Sequence, residues 1–373
     1  MKILISTDKF RGSASASEAC EALKRGIYRA FPGASARLLP LADGGEGTLD
    51  VLVEATGGRK YRTGARDPLG RSLEAEFGLS ADGKTAFVEL AAASGLHHLA
   101  PSERDALRAN TFGTGQLLRA ALEAGATRLI LGVGGSASTD GGTGLAAALG
   151  YRFFDEEGAE VLPCGGTLRR IARIDASGVA FDFAKVTIEV ACDVTAPLFG
   201  PEGAAYVYGP QKGATPEQVR ELDEGLRTLA GLKPGFDAVP GAGAAGGAGF
   251  GAMAFLNARL RSGIDLVMEL TRFDEHLDGV DLVITGEGKL DAQTLQGKLI
   301  GGICQRAGAR GIPVAALCGT LDAPPEALRE MGLTYAASIL PRPMTLDEAL
   351  TEGPMLLENA AFFVVNLFSS HKS

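Results

Sequence analysis

"EAEFGLSADGKTAFVEL", residues 74–90, holds two runs of alternating apolar and polar residues on either side of Ser80-Ala81-Asp82-Gly83. Period-two alternation around an Asp-Gly turn reads as an antiparallel hairpin, and this stretch, from about Arg59 onward, is the exception in the chain. Elsewhere, strand-like runs end in glycine turns and alternate with helices. Residues 2–7 (KILIST) read as a short apolar strand and residues 15–31 as the following helix. Ser15-Ala16-Ser17-Glu18 fits a capping box, and Cys20, Leu23, Ile27 and Phe31 share one face. Residues 127–133 (TRLILGV) precede GGSASTDGGTG, residues 186–192 (VTIEVAC) precede Asp193, residues 281–284 (DLVI) precede TGEGKLD, and residues 314–317 (VAAL) precede a Cys-Gly turn. That alternation implies mainly parallel sheet with helices on both faces. The switch at the hairpin predicts an α/β domain with a mixed sheet, residues 63–261, inserted into a parallel-sheet α/β domain made of residues 1–62 and 262–373.

The 373 residues, 46% of them hydrophobic, suffice for two cores. A net charge of −9, with no basic or aromatic stripe, argues against nucleic acid or an anionic membrane as partner. The N-terminus meets Asp8 too early for a signal peptide, and the most apolar late stretch, residues 360–368 (AAFFVVNLF), is far shorter than a membrane span. Cysteines 20, 164, 192, 304 and 318 show no metal spacing and read as reduced thiols of a cytoplasmic protein. With four histidines a His-based metal site is a poor reading, and His97-His98 reads as loop surface.

The glycine turns carry unusual side chains. In LPLADGGEGT, residues 39–48, an apolar run ends in a turn with two carboxylates and no cation. Asp8, Asp43, Glu46, Asp140, Asp193, Glu287 and Asp291 all follow apparent strands. Any one of them alone reads as a turn or cap residue. Together they call for a divalent cation, a hydroxyl-rich substrate or a proton acceptor. Mg²⁺ is held by one or two carboxylates plus waters and phosphate oxygens, and Asp43, Asp193 and Glu287 are the expected ligands. Asp193, isolated at a strand end, is the preferred catalytic base, with Asp43 second. Asp291, with Gln293 and Thr294, is expected to face substrate or metal.

Cations and bare amides complete the pattern. There is no G-x-x-x-x-G-K-[ST], which excludes a P-loop. Gly134, Gly135 and Ser136, with Lys212 and Lys298, are expected to steady nucleotide phosphates. Residues 241–246 (GAGAAG) match G-x-G-x-x-G without a strand ahead of them. They read either as a glycine-rich entry to a helix at 250–260, with Gly243, Gly246 and Gly247 offering amides to an anion, or as small residues that let a helix pack closely. Asp8, Lys9, Arg11, Glu46, Arg66 and Arg71 form the expected substrate-binding set. Arg71, fixed by the Pro68-Leu69-Gly70 turn, is the better carboxylate clamp. Acids for a metal, amides and lysines for phosphates, and no hydride fingerprint point to phosphoryl transfer.

The motifs STDKFRGS, PLADGGEGT, DPLGR, FGTGQLLRAAL, GVGGSASTDGGTG, ACDVTAPLFGPEGAA, YGPQKGAT, GAGAAGG and TGEGKLDAQTLQGK resemble, in that order, the bacterial glycerate kinases. The resemblance runs from Met1 to about Leu350. It implies two α/β domains, one flavodoxin-like and interrupted by the other. It also implies ATP as phosphoryl donor, D-glycerate as acceptor, 2-phosphoglycerate as product, and no use of the P-loop or actin-like kinase designs. Many members carry Pro, Ser and Lys where this chain has Thr7, Lys9 and Arg11. The final NAAFFVVNLFSSHKS is more apolar than expected of the family, which bears on C-terminal packing or a homodimer contact. Two other readings remain open: a dehydrogenase of small hydroxy acids, resting on GAGAAG alone, and a two-lobed solute-binding protein.

Overall fold

A computed structural model describes residues 1–291 and 299–369. Gln293, Thr294 and Lys298 therefore lie outside the described residues. The chain divides into two compact units, Met1–Asp43 with Ile264–Ser373, and Gly44–Gly263.

The first unit holds five strands in the order Tyr335–Ser338, Val314–Asp322, Leu282–Asp291, Lys2–Ile5, Ser35–Leu38, all parallel. Counted along the chain within this unit, that is 2-1-3-4-5 read from the Ser35–Leu38 edge, the flavodoxin-like order. Ser15 caps the helix Ala16–Ala30 by accepting from the Glu18 amide at 3.2 Å while Glu18 accepts from the Ser15 amide at 2.9 Å. Its apolar face (Cys20, Leu23, Ile27) is buried with Ile3, Ile5 and the inner face of the helix Leu346–Ser369 (Leu356, Leu357, Val364, Val365). Gly26 is where the two helices touch, since a Cβ there would stand 2.0 Å from the Glu358 carbonyl oxygen. Arg25 and Arg29 reach Glu358 from either side at 3.0 and 2.6 Å.

TGEGKLD is not a turn. The strand Leu282–Asp291 runs straight through it and pairs with Val314–Asp322 in register as far as Asp291 opposite Asp322. Gly286 is small because the Leu317 carbonyl packs on it, 2.0 Å from where a Cβ would sit. Glycine here marks close approach of a neighbouring strand, not a bend.

The second unit holds a six-stranded mixed sheet in the order Arg259–Arg261, Thr187–Ala191, Arg128–Gly132, Thr85–Glu89, Ser72–Leu79, Arg59–Arg66. The last three form an antiparallel meander, and pairing is parallel from Thr85–Glu89 onward. The turn at 80–83 closes through Gly83, at φ +69°, whose amide donates to the Ser80 carbonyl at 2.8 Å. The helix Thr48–Ala55 belongs to this unit: the Leu49 amide donates to Glu89 at 2.9 Å, and Leu49 and Val53 pack where Gly78 has no side chain. The division accordingly falls between Asp43 and Gly44 and between Gly263 and Ile264, where the sequence had suggested 62 and 262. The helix expected at 250–260 lies within Ala244–Leu256, whose early part is broken by left-handed backbone at Ala245, Gly246 and Gly247 (φ +52°, +69° and +91°); it is stopped by Asn257, also left-handed, and residues 259–261 form a strand. A two-stranded hairpin, Arg152–Phe154 with Arg173–Asp175, carried no sequence expectation.

No helix among the described residues is long and apolar enough to cross a membrane.

Candidate active site

In open parallel sheets, ligands bind beyond the carboxyl ends of the strands at the point where strand order reverses. In the first unit that point lies between Lys2–Ile5 and Leu282–Asp291. The chain leaves the first strand with the Ser6 amide on the Ile284 carbonyl (2.9 Å) and the Asp8 amide on the Gly286 carbonyl (3.0 Å). Asp8 is thereby fixed at the switch point. Burial pushes its carboxyl up to about 7, and the charges of Asp43 and Glu287 add to the rise, against the Lys9 amide (2.7 Å) and the Lys9 charge. Asp8, Asp43 and Glu287 thus form one electrostatic group. Ser6 and Thr285, each fully buried and one position beyond the registered pair Ile5 and Ile284, have hydroxyls with no partner among the described residues. Nothing in the sequence pattern flagged them. Arg11 is exposed beside Gly12, which has φ +78°. Asp291 lies at the far end of the long strand, paired with Lys289 at 3.0 Å, and Lys289 also reaches Asp322 at 3.7 Å.

In the second unit the acidic glycine loop passes over the strand ends. Gly44, at φ +89°, lies where a Cβ would meet Gly263 Cα at 3.0 Å and Ala191 Cβ at 3.2 Å. A Cβ on Gly132 would meet the Gly44 carbonyl oxygen at 2.9 Å. These glycines allow backbone to cross backbone, and Glu46 is left exposed at the loop tip. Asp193, just past Thr187–Ala191 and exposed, accepts the Gly263 amide at 2.8 Å. His98 is held by the Ala91 and Ala92 carbonyls at 3.2 and 3.1 Å, its ring 4.0 Å from that of His97.

The loop after Arg128–Gly132 presents Gly134 and Gly135, both exposed, and then turns inward at Ser136. Lys212 is buried, with 1% of its surface exposed, and donates to Ser136 Oγ at 2.8 Å and to the Ser138 carbonyl at 2.5 Å. Burial pulls its amine down to about 7, and Asp140 opposes the fall. Several residues expected to bind ligand have protein partners or close neighbours here. Gly243 and Gly246 are glycine because a Cβ would stand 2.2 Å from the Pro197 carbonyl and 2.0 Å from the Ser138 carbonyl. The Gly243 and Gly247 amides donate to the Ala196 and Gly243 carbonyls at 2.9 and 3.3 Å, so two of the three expected amides already have protein acceptors. Arg71 has its guanidinium committed to Asp67, to Glu103 at 2.6 Å and to the His98 carbonyl at 3.2 Å. Arg66 donates to the Gly70 carbonyl at 3.0 Å. The DPLG turn is a self-contained ion-pair structure, and Arg71→Met is expected to change the apparent constants for glycerate and ATP by less than about threefold, as for a partly exposed surface pair. Steady-state kinetics of that variant check this, and a rise confined to glycerate would restore the clamp.

Among the described residues, no three His, Cys, Asp or Glu side chains are gathered as a ready-made metal cage. The donor set nevertheless suits Mg²⁺, which takes few protein carboxylates, and the mutual repulsion within the Asp8, Asp43 and Glu287 group is what a cation would relieve.

One unit carries carboxylates at the switch point of a flavodoxin-like sheet, the other a Gly-Gly-Ser loop backed by a buried lysine, and the sequence has no P-loop, features each suited to phosphoryl transfer. The model of the glycerate kinase family matches residues 3–369, and the chain belongs to that family, whose members transfer phosphate from ATP to glycerate. It is 46% identical to a glycerate kinase of Halalkalibacterium halodurans, over 100% of this chain and 99% of the relative. It is 43% identical to the glycerate 2-kinase of Escherichia coli, over 94% and 93%. A solved structure from Salmonella typhimurium LT2, described as glycerate kinase 2, superposes with a TM-score of 0.89 at 41% identity, covering 100% of this chain and 99% of that one.

Proposed function

We propose that the enzyme transfers the ATP γ-phosphate to the 2-hydroxyl of D-glycerate with Mg²⁺, giving 2-phosphoglycerate. The choice of hydroxyl is carried by the 43% identity to a relative named glycerate 2-kinase across almost the whole chain. Asp43 and Glu287 are the residues suited to hold the ion, which when bound neutralises charge on the phosphates. Asp8, only partly ionised near neutral pH, can either accept from or donate to the oxygens of glycerate. In the second unit, the exposed Gly134 and Gly135 amides receive phosphate oxygens, and Lys212 lends its charge through Ser136. Asp193 takes the proton of the attacking hydroxyl. A cytoplasmic location suits five free cysteines, of which Cys304 and Cys318 are pushed up to about 12 by burial and are poor thiolates.

Coupled ADP release over a panel of hydroxy acids, followed by phosphorus NMR of the product, tests the reading. D-glycerate is expected to give the highest kcat/KM and a phosphate resonance coupled to the C2 proton. Coupling to the C3 protons would mean 3-phosphoglycerate. NADH fluorescence enhancement without ADP release would favour the dehydrogenase reading instead.

A further inference from the structure

Glu189 stands in the middle of VTIEVAC, a mainly apolar strand, and is only 7% exposed. A carboxylate in such a place is costly unless it is paired. Its partners come from the strands on either side. Arg128, on the strand Arg128–Gly132, donates to Glu189 Oε2 through Nε at 2.8 Å and through Nη2 at 2.6 Å. Arg261, on the strand Arg259–Arg261, donates to Oε1 through Nη1 at 2.6 Å. The register makes the arrangement diagonal. Arg128 pairs with Thr187 and Arg261 with Ala191, two residues to either side of Glu189, so all three side chains leave the same face of the sheet.

The two arginines differ in what they hold. Arg128–Gly132 is an inner strand, flanked on both sides. Arg259–Arg261 is the edge of the sheet, three residues long, and it pairs along one side only, from Arg259 opposite Glu189 to Arg261 opposite Ala191. The Cys192 amide adds a hydrogen bond to the Arg261 carbonyl at 2.8 Å. Two residues past this last pair, on both strands at once, stand Asp193 and Gly263, and there the Gly263 amide donates to Asp193 Oδ1 at 2.8 Å. The tether of Asp193 is thus the next rung beyond a short edge strand, and Glu189–Arg261 is a side-chain bond that fastens that strand to the interior.

We infer that Glu189 and Arg261 are positioning residues for the reaction: their ion pair fixes the end of the edge strand and, through the Gly263 amide, sets where the Asp193 carboxylate stands. The inference rests on the reading of Asp193 as the group that takes the proton of the attacking hydroxyl. Glu189 and Arg261 act through Asp193 and not on substrate. A proton acceptor displaced by about 1 Å loses rate while substrate binding is kept. Arg128 stays on the other carboxylate oxygen, so loss of Arg261 loosens the edge without leaving Glu189 uncompensated.

The test is Arg261→Met, read first without activity. Hydrogen exchange of the Gly263 amide, followed by NMR of the nitrogen-labelled enzyme, should quicken by about tenfold, because its bond to Asp193 opens more often. The Leu129 and Leu131 amides of the inner strand should keep their wild-type rates. Unchanged exchange at Gly263 would overturn the inference, and equal quickening in the inner strand would reduce the pair to a general stabiliser and overturn it too. Turnover comes second: kcat should fall by about tenfold, with KM for ATP and for glycerate within about twofold of wild type. Arg261→Lys, which keeps a cation for Glu189, should bring both readings back to within about threefold of wild type. No recovery there would mean that the charge is not what holds the strand, and the inference would fall. Combined with Asp193→Asn, Arg261→Met should lower kcat no further, since the acceptor it positions is already gone. A second fall of about tenfold would mean that the strand acts elsewhere, for example where Gly44 crosses Gly263, and would overturn the inference. If Asp193→Asn turns over near wild type, the reading of Asp193 as the base fails, and exchange at Gly263 still decides whether the ion pair holds the tether. Arg261→Gln repeats the comparison should the Met variant fold poorly.

Discussion

The Asp193→Asn enzyme is expected to turn over about 10²–10⁴-fold more slowly than wild type while unfolding at nearly the same urea concentration. The expectation rests on how the side chain is held. Asp193 stands two residues beyond the strand Thr187–Ala191, and its Oδ1 accepts the Gly263 amide at 2.8 Å. Asparagine can present its carbonyl oxygen to that amide, so the tether survives. The side chain is exposed, so the substitution leaves the core packing in place. The group lost is a carboxylate oxygen able to take a proton from the attacking hydroxyl. Because this matters only as the O–P bond forms, kcat should fall with little change in the apparent constants for ATP or glycerate. Turnover near wild type would remove Asp193 from the role and leave Asp43 as the next choice. A fall in turnover accompanied by an equal fall in unfolding midpoint would mean that the tether, not the proton, was lost.

Much of the architecture is legible in local sequence because the physical signals are local. The Ser15–Glu18 box, the Thr215 cap ahead of Pro216 and the Asp82-Gly83 turn each settle their hydrogen bonds within a few residues. The flavodoxin-like order is not legible in this way. It depends on Ile3 pairing with Leu282 and Val283 with Val314, contacts that no window of residues contains. The glycine segments share one cause. Gly286 suggests a turn, yet it is glycine because the Leu317 carbonyl passes within reach, and Gly243 and Gly246, open to either a cradle or a packing reading, also lie against a neighbouring backbone. Glycine reports crowding as readily as freedom, and only the neighbour distinguishes the two. Asn257 was a readable helix stop that hydrophobic content concealed. At the site, the run of acids after strands includes Asp8 and Asp43, which the fold places close enough for the charge of one to raise the carboxyl of the other. It could not separate them from Asp140, whose surroundings are donors from Thr111 and Gly144 and not a ligand. Arg71 shows the same limit: the Pro68-Leu69-Gly70 turn that fixes it is local, and its pairing with Glu103, 32 residues away, is not.

Lys212→Met is expected to lower kcat/KM for ATP by at least about 10²-fold, the scale of losing a preorganised charge near transferring phosphate, and to flatten the dependence of stability on pH. The sign follows from the two protonation equilibria. Unfolded, the amine has its ordinary value of 10.5, and folded it is pulled down to about 7 by burial. Below about 7 both states hold the proton and the full cost of burying the cation is present. Between about 7 and 10.5 the unfolded chain binds more protons than the folded one, so stability rises with pH. Above 10.5 neither holds it and the cost is gone. Methionine removes this rise, so the variant's stability relative to wild type should be greatest near neutral pH and decline as pH approaches 10. An opposing effect does not vary with pH: Ser136 Oγ and the Ser138 carbonyl lose their donor, at about 1–3 kcal/mol for a buried group left unsatisfied. The absolute order of the two proteins is therefore less informative than the slopes, and urea unfolding at several pH values between 7 and 10 reads them. Parallel slopes would mean that Lys212 is not a depressed amine, and retained ATP affinity would mean that its charge does not reach the phosphates. If both expectations hold, the enzyme keeps a destabilising cation in its interior because phosphate, on arriving, is the partner that restores its proton.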